Sequence, residues 1–156
     1  MDSVKRIGFT GTRYGMTEVQ RASVIALVEE FEPVGIEGHH GDCIGADREF
    51  HYAVVLCGGR VVLHPPTNPD HRAYCMAHET RPEFPYMRRN KNIVDAVELM
   101  IAGPCEMREQ ERGGTWRTIQ LARKAKRPLL IVWPDGRVTE ERTVDAATLA
   151  ALGGAP

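Results

Sequence analysis

The sequence predicts an α/β protein in which a mainly parallel, five-stranded sheet lies between two layers of helices. Two observations carry that expectation. Five short apolar runs alternate with stretches of helical periodicity along the 156 residues. The runs are apolar without strict alternation, as strands covered on both faces are.

The elements follow in order. Val4–Thr10 is the first strand, ending in Gly11-Thr12-Arg13-Tyr14-Gly15. A helix begins at Thr17, where Thr17-x-x-Gln20 is a capping-box pattern and Val24, Ile25, Val28 and Phe31 form an apolar face. Pro33 and Gly35 end it. Ile36–His40 is the second strand, and Gly41–Asp47 a glycine-bearing turn. A helix to about Cys57 is stopped by Gly58-Gly59. Arg60–His64 is the third strand. Residues 64–85 then hold five of the ten prolines and three of the six histidines. So long a connection is often functional, and on the binding rim it is expected to act as a lid. A short helix is expected within it at Tyr74–Glu79. Pro85–Val97 reads as a helix, Leu99–Ala102 as a strand, Gly103–Gly114 as a polar loop, Thr115–Lys126 as a helix and Leu129–Trp133 as the fifth strand. One domain over 1–136 is expected. Residues 137–156 are expected to be a tail with a short helix near Val144–Leu152 and disorder beyond it.

Composition removes several classes of function. Twenty basic against 21 acidic residues leave a net charge of −1, which argues against non-specific phosphate neutralisation on nucleic acid. No apolar stretch approaches the roughly 20 residues of a membrane helix. The four cysteines form no CxxC pair, and a cytoplasmic, reduced protein is expected. With two serines and no G-x-S-x-G elbow, serine-hydrolase chemistry of that kind is excluded.

Right-handed crossovers place every strand-to-helix loop on the carboxyl edge of a parallel sheet, where ligands bind at the point of strand-order reversal. Two glycine-bearing helix starts then suit phosphate: Gly11-Thr12-Arg13, with a guanidinium, and Gly113-Gly114-Thr115, a backbone nest before a threonine cap. Neither is a Walker A loop or a G-x-G-x-x-G fingerprint. Arg88-Arg89-Asn90-Lys91 puts cations at the start of a helix, against its dipole, which points to an anion nearby. In His40-Gly41-Asp42-Cys43-Ile44-Gly45-Ala46-Asp47, strand alternation sends His39 and His40 to opposite faces and spacing supplies no fourth ligand, so no metal is expected. Cys43 lacks an orienting third group for nucleophilic work.

Taken in order, Gly11-Thr12-Arg13, His40-Gly41-x-x-x-Gly45-x-Asp47, Arg89-Asn90 and Gly114-Thr115 resemble the SLOG superfamily, most of all its small stand-alone bacterial and phage members. The resemblance runs from about Val4 to Trp133. It implies a Rossmann-like fold and a pocket for a nucleotide or NAD-derived small molecule. That pocket has Gly11, Thr12 and Arg13 on one side and Gly113, Gly114 and Thr115 on the other. Gly41, Asp42, Gly45, Asp47, Arg89 and Asn90 lie between them. It also implies a homo-oligomer, a dimer. Superfamily members include DprA, which handles single-stranded DNA, and the Lonely Guy phosphoribohydrolases. The latter carry P-G-G-x-G-T-x-x-E with a catalytic glutamate. Here Thr118 stands in the glutamate's place and Arg112 in the proline's. Hydrolysis of a nucleotide N-glycosidic bond would have to recruit Asp47, Asp42 or Glu49, with Asp47 the candidate catalytic residue. A binding module, sensor or carrier, with no resident cofactor, is the leading expectation.

Overall fold

The computed structural model describes residues 5–31 and 35–142. The elements run β1 (Arg6–Gly11), α1 (Glu18–Phe31), β2 (Glu37–His40), α2 (Ala46–Leu56), β3 (Arg60–Leu63), β4 (Glu79–Thr80), α3 (Tyr86–Ala96), β5 (Leu99–Gly103), α4 (Gly114–Lys124), β6 (Leu129–Val132) and β7 (Val138–Glu141). One sheet has the order β4-β3-β2-β1-β5-β6-β7, parallel except for β7. This is a Rossmann-like three-layer sandwich.

Side-chain alternation divides the core into two. Ile7 and Phe9 of β1 and Ile101 of β5 pack with Val24 and Val28 of α1 and Phe50 and Val54 of α2. Met100 and Ala102 of β5 and Leu129 and Ile131 of β6 pack with Ile93 and Val94 of α3 and Trp116 and Ile119 of α4. Consecutive residues of one strand thus feed opposite layers, which is why the strands are apolar throughout. The capping box at α1 forms: the Gln20 amide donates to Thr17 Oγ1 and the Thr17 amide to Gln20 Oε1, each at 3.1 Å.

Three sequence expectations change. The sheet has seven strands, not five. The additional β4 is a two-residue edge strand in register with Val62 and Leu63. The additional β7 returns antiparallel along β6 through a turn at Pro134-Asp135-Gly136, in the segment assigned to the tail. It is polar and half-exposed, so hydrophobic pattern does not reveal it; the Asp-Gly turn beside a strand does. The helix expected at Tyr74–Glu79 does not form. The Ala73 amide donates to the Asp42 carbonyl and the Cys75 amide to Asp42 Oδ1, while Tyr74 sits at φ 55°, so these donors go to β2's exit rather than to helical acceptors. The helix expected near Val144–Leu152 lies outside the described residues.

From β1 the chain steps outward to β2, β3 and β4, then returns to place β5 on β1's other side, with Gly11 opposite Gly103. The carboxyl ends of β1 and β5 are therefore the topological switch point.

Candidate functional site

The loops on this rim are drawn tightly together by glycines. A Cβ on Gly11 would lie 2.6 Å from the Ala46 Cβ, and one on Gly41 would lie 2.5 Å from Arg89 Nη1. Gly45 is at φ 86°, with its missing Cβ 2.3 Å from the Arg13 carbonyl oxygen. Thr12 links the strands to these loops: its amide donates to the Gly103 carbonyl at 3.0 Å and its carbonyl accepts from the Ala46 amide at 2.9 Å. Gly11, Gly41 and Gly45 thus serve close packing of the rim, which the motif alone did not distinguish from ligand contact.

At the centre of the rim, Asp47 and Arg89 are both buried. Arg89 reaches from α3 over the end of the sheet. Its Nη1 donates to the Gly41 carbonyl and, at 3.1 Å, to the His64 carbonyl, and its Nε donates to Asn90 Oδ1 at 2.7 Å. Arg89 and Asn90 therefore tie the exits of β2 and β3 together. Asp47 Oδ2 accepts the Cys43 amide at 3.1 Å. Burial pushes the Asp47 carboxyl up to about 6, against the opposing pull of the Arg89 guanidinium and of backbone amides. The Cys43 thiol is pushed up to about 11 by burial and then by Asp47, so it stays protonated near neutrality.

Asp42 faces away from this centre, into the 64–85 connection. Its carboxylate is fully buried and takes Arg72 Nε at 2.8 Å and the Cys75 amide at 2.9 Å. With the bridges Cys43–Arg72 and Pro66–Phe84, it fastens the connection as a strap rather than leaving a free lid. Asp42, His71 and Tyr74 all lie at positive φ, a concentration of backbone strain at one corner of the rim. Arg13 is exposed. Its Nη1 lies 3.1 Å from His71 Nε2 and its Nη2 3.1 Å from the Tyr14 hydroxyl. Arginine only donates, so His71 Nε2 is the acceptor there.

Gly113, Gly114 and Thr115 open α4. Gly113 is at φ 109°, no side chain caps the helix, and no acidic residue lies in its first turn. Nothing lies within 4 Å of where a Gly114 Cβ would be. Thr118 is fully buried and donates from its hydroxyl back to the Gly114 carbonyl at 2.9 Å, so no carboxylate occupies the position of the phosphoribohydrolase glutamate.

Two histidine pairs were not legible as such. On one face His40 Nε2 lies 2.9 Å from His51 Nδ1, and with Cys75 their donor atoms come within 4.8 Å of one another. The Asp42 amide donates to His40 Nδ1, so His40 Nε2 carries the proton and gives it to His51. Neutral His40 therefore has no lone pair to offer a metal, and the cluster is a hydrogen-bonded chain. Burial holds His40 well below its ordinary value. On the other face His39 Nδ1 lies 2.8 Å from His64 Nε2, and His39 Nε2 2.7 Å from Glu37 Oε1. The i, i+2 spacing of Glu37 and His39 was the available signal for this second group.

No family model matches the sequence, and no curated protein does. Solved structures do. A molybdenum cofactor binding protein from Rippkaea orientalis superposes with a TM-score of 0.65 at 15% identity, over 98% of this chain and 85% of its own. A Moco carrier protein from Chlamydomonas reinhardtii gives 0.62 at 21%, over 82% and 75%. The DNA processing protein A (DprA) of Helicobacter pylori, described with a single-stranded DNA binding mode, gives 0.62 at 17%, over 97% and 74%. The chain therefore shares a Rossmann-like fold with these proteins, the fold that the resemblance of its four ordered motifs to the SLOG superfamily implied.

Proposed function

We propose that the chain binds a phosphate-bearing nucleotide or nucleotide-derived ligand at the switch point, as a carrier or sensor. The observation that carries this reading is the start of α4. Its first turn has no side-chain cap and carries no acidic residue, the nearby Glu106 carboxylate is taken by Trp116 Nε1 at 3.1 Å, and Gly113-Gly114 leave room for an anion to reach the amides. The helix start that follows Gly11-Thr12-Arg13 is closed by its own capping box, Thr17 with Gln20, and carries Glu18 in its first turn, while the start of α2 carries Asp47 and Glu49; both are less suited to an anion. Arg13, on the neighbouring β1 loop, is an exposed guanidinium within the same rim.

Hydrolysis of a nucleoside monophosphate is the second reading, favoured by one feature: the Asp47 carboxyl is raised towards neutrality, where an acid–base group is useful. Thr118 counts against it. Single-stranded DNA binding, which a DprA-like fold suggests, is opposed by the net charge of −1.

One assay separates these readings. The protein is incubated with nucleoside monophosphates, NAD, ADP-ribose and the molybdenum cofactor named by two structural neighbours. It is then ultrafiltered, and retained and released species are identified by mass spectrometry. Retention of an intact phosphate-bearing ligand, lost in Gly114→Asp, is the expected result. Release of free base with ribose 5-phosphate would establish the hydrolase instead. Retention of nothing would refute the binding reading.

A further inference from the structure

A cleft on the outer flank of α3 lies apart from the start of α4. It has a volume of about 320 Å³ and is lined by His64 beyond β3, Arg81, Pro82 and Phe84 of the strap, and Arg89 and Asn92 of α3. That is the small end of ligand pockets, room for one ring system.

His64 is 4% exposed and ends a relay whose proton positions are fixed. The Glu37 carboxylate only accepts, so His39 Nε2 carries the proton between them. Neutral His39 then accepts at Nδ1, and His64 Nε2 donates. The lone pair that remains is on His64 Nδ1. Burial, with His39, Arg81 and Arg89 nearby, holds the His64 imidazole down to about 3, so that nitrogen is an acceptor throughout the neutral range. Beside this acceptor stand two side chains that can donate, Arg81 and Asn92, and two apolar surfaces, Pro82 and Phe84. The Arg88 guanidinium lies 4.7 Å from the Phe84 ring centroid and helps to fix that wall. Two acidic groups stand at this flank: Asp95 is engaged by Lys91 at 2.6 Å, and Glu79 takes Arg81 Nε at 2.5 Å, which leaves the other N–H groups of that guanidinium to donate.

We propose that this cleft is a second binding site, for a planar heterocycle that presents an N–H donor next to a carbonyl or ring-nitrogen acceptor, as the pairing edge of a free nucleobase does. The N–H donates to His64 Nδ1, the neighbouring acceptor accepts a hydrogen bond from Asn92 or Arg81, and the ring lies against Pro82 and Phe84. The site needs no phosphate. It also lies on the β3 side of the sheet, three strand spacings from β5, or about 14 Å. None of its lining residues belongs to the proposed anion site at α4 and Arg13, although Arg89 reaches it from the centre of the rim.

The test is calorimetric titration of the full chain with hypoxanthine, which carries a lactam edge, and with adenine, which carries an amidine edge. The 1-methyl derivative of hypoxanthine serves as a third probe, because its methyl group replaces the N–H without touching the protein. At least one base is expected to bind at millimolar concentration or below. The methyl derivative should bind more than tenfold more weakly than hypoxanthine if the lactam is taken. Asn92→Leu should weaken binding by about three- to tenfold, the worth of one neutral hydrogen bond. Gly114→Asp should leave base binding unchanged while abolishing any phosphate binding at α4. Binding of adenine alone supports the site and assigns it the amidine edge. Absence of binding by both bases overturns the proposal. So does undiminished binding of the methyl derivative where hypoxanthine binds, or loss of base binding in Gly114→Asp, which would place the bases at the rim.

Discussion

Replacing Arg89 by methionine is the most informative perturbation of the rim. The substitution keeps much of the apolar stem and removes the guanidinium. Two backbone carbonyls, of Gly41 and His64, lose a charged donor, Asn90 Oδ1 loses another, and Asp47 loses its counter-charge. Three hydrogen bonds to a charged group would sum to more than 4 kcal/mol, but they share one side chain and are not additive. Leaving a buried charge without its counter-charge costs about 3–5 kcal/mol, and that is the expected loss at pH 8. The loss should depend on pH, with a sign set by Asp47. Its folded-state value of about 6 lies above the ordinary 3.8, so the folded protein holds this proton more tightly than the unfolded chain. Stability from this group is therefore present below pH 3.8 and is lost as pH rises to about 6, by about 3 kcal/mol at 1.36 kcal/mol per unit. Without Arg89 the carboxyl rises further and the loss extends to higher pH. The deficit of Arg89→Met should thus be largest near pH 8 and smaller near pH 5, where Asp47 is largely protonated. Urea denaturation at both pH values reads it directly. A deficit below about 1 kcal/mol at pH 8, or one equal at the two pH values, would refute the assignment of Arg89 as the counter-charge of buried Asp47.

Other expectations are equally concrete. Asp42→Asn keeps a residue that tolerates positive φ but removes the charge that holds Arg72; it should cost about 1.5–3 kcal/mol and speed proteolytic cleavage of the strap, and a cleavage rate equal to the wild type would show the strap to be held otherwise. Gly45→Ala should lose at least about 1–3 kcal/mol in thermal or urea unfolding, since its methyl would enter the Arg13 carbonyl at a positive φ; wild-type stability would contradict the close approach. His64, held down to about 3 from an ordinary 6.5, contributes stability that is complete above pH 6.5 and is lost as pH falls towards 3, against the opposite trend of Asp47; in an Asp47→Asn background, which removes that trend, the urea midpoint should drop between pH 6.5 and 4, and a flat or rising midpoint there would count against a buried neutral imidazole. Arg13→Ala should weaken retention of a phosphate-bearing ligand by about 1.5–3 kcal/mol if the guanidinium leaves His71 for phosphate, and equal affinity would remove Arg13 from the site.

The sequence by itself determined whatever depends on neighbours along the chain. Continuous apolar runs with helical stretches between them dictate a parallel sheet covered on both faces. Thr17 and Gln20 cap α1 because their spacing is local. At α4 the expected threonine cap does not form: Gly113 is the N-cap, and Thr115 lies inside the helix. Only the tertiary structure decided which polar groups meet. Arg89 reaches carbonyls 48 and 25 residues away, so its role as a tie between strand exits has no local signature. Asp42 and Asp47 stand five positions apart in one motif, yet one is satisfied by the strap and the other is left against a guanidinium. The strands β4 and β7 are too short or too polar to declare themselves, and they exist because an unpaired edge of β3 or β6 accepts them. Periodicity selects elements through local geometry. The fate of a buried charge or a backbone donor depends on partners that only the packed fold brings within hydrogen-bonding distance.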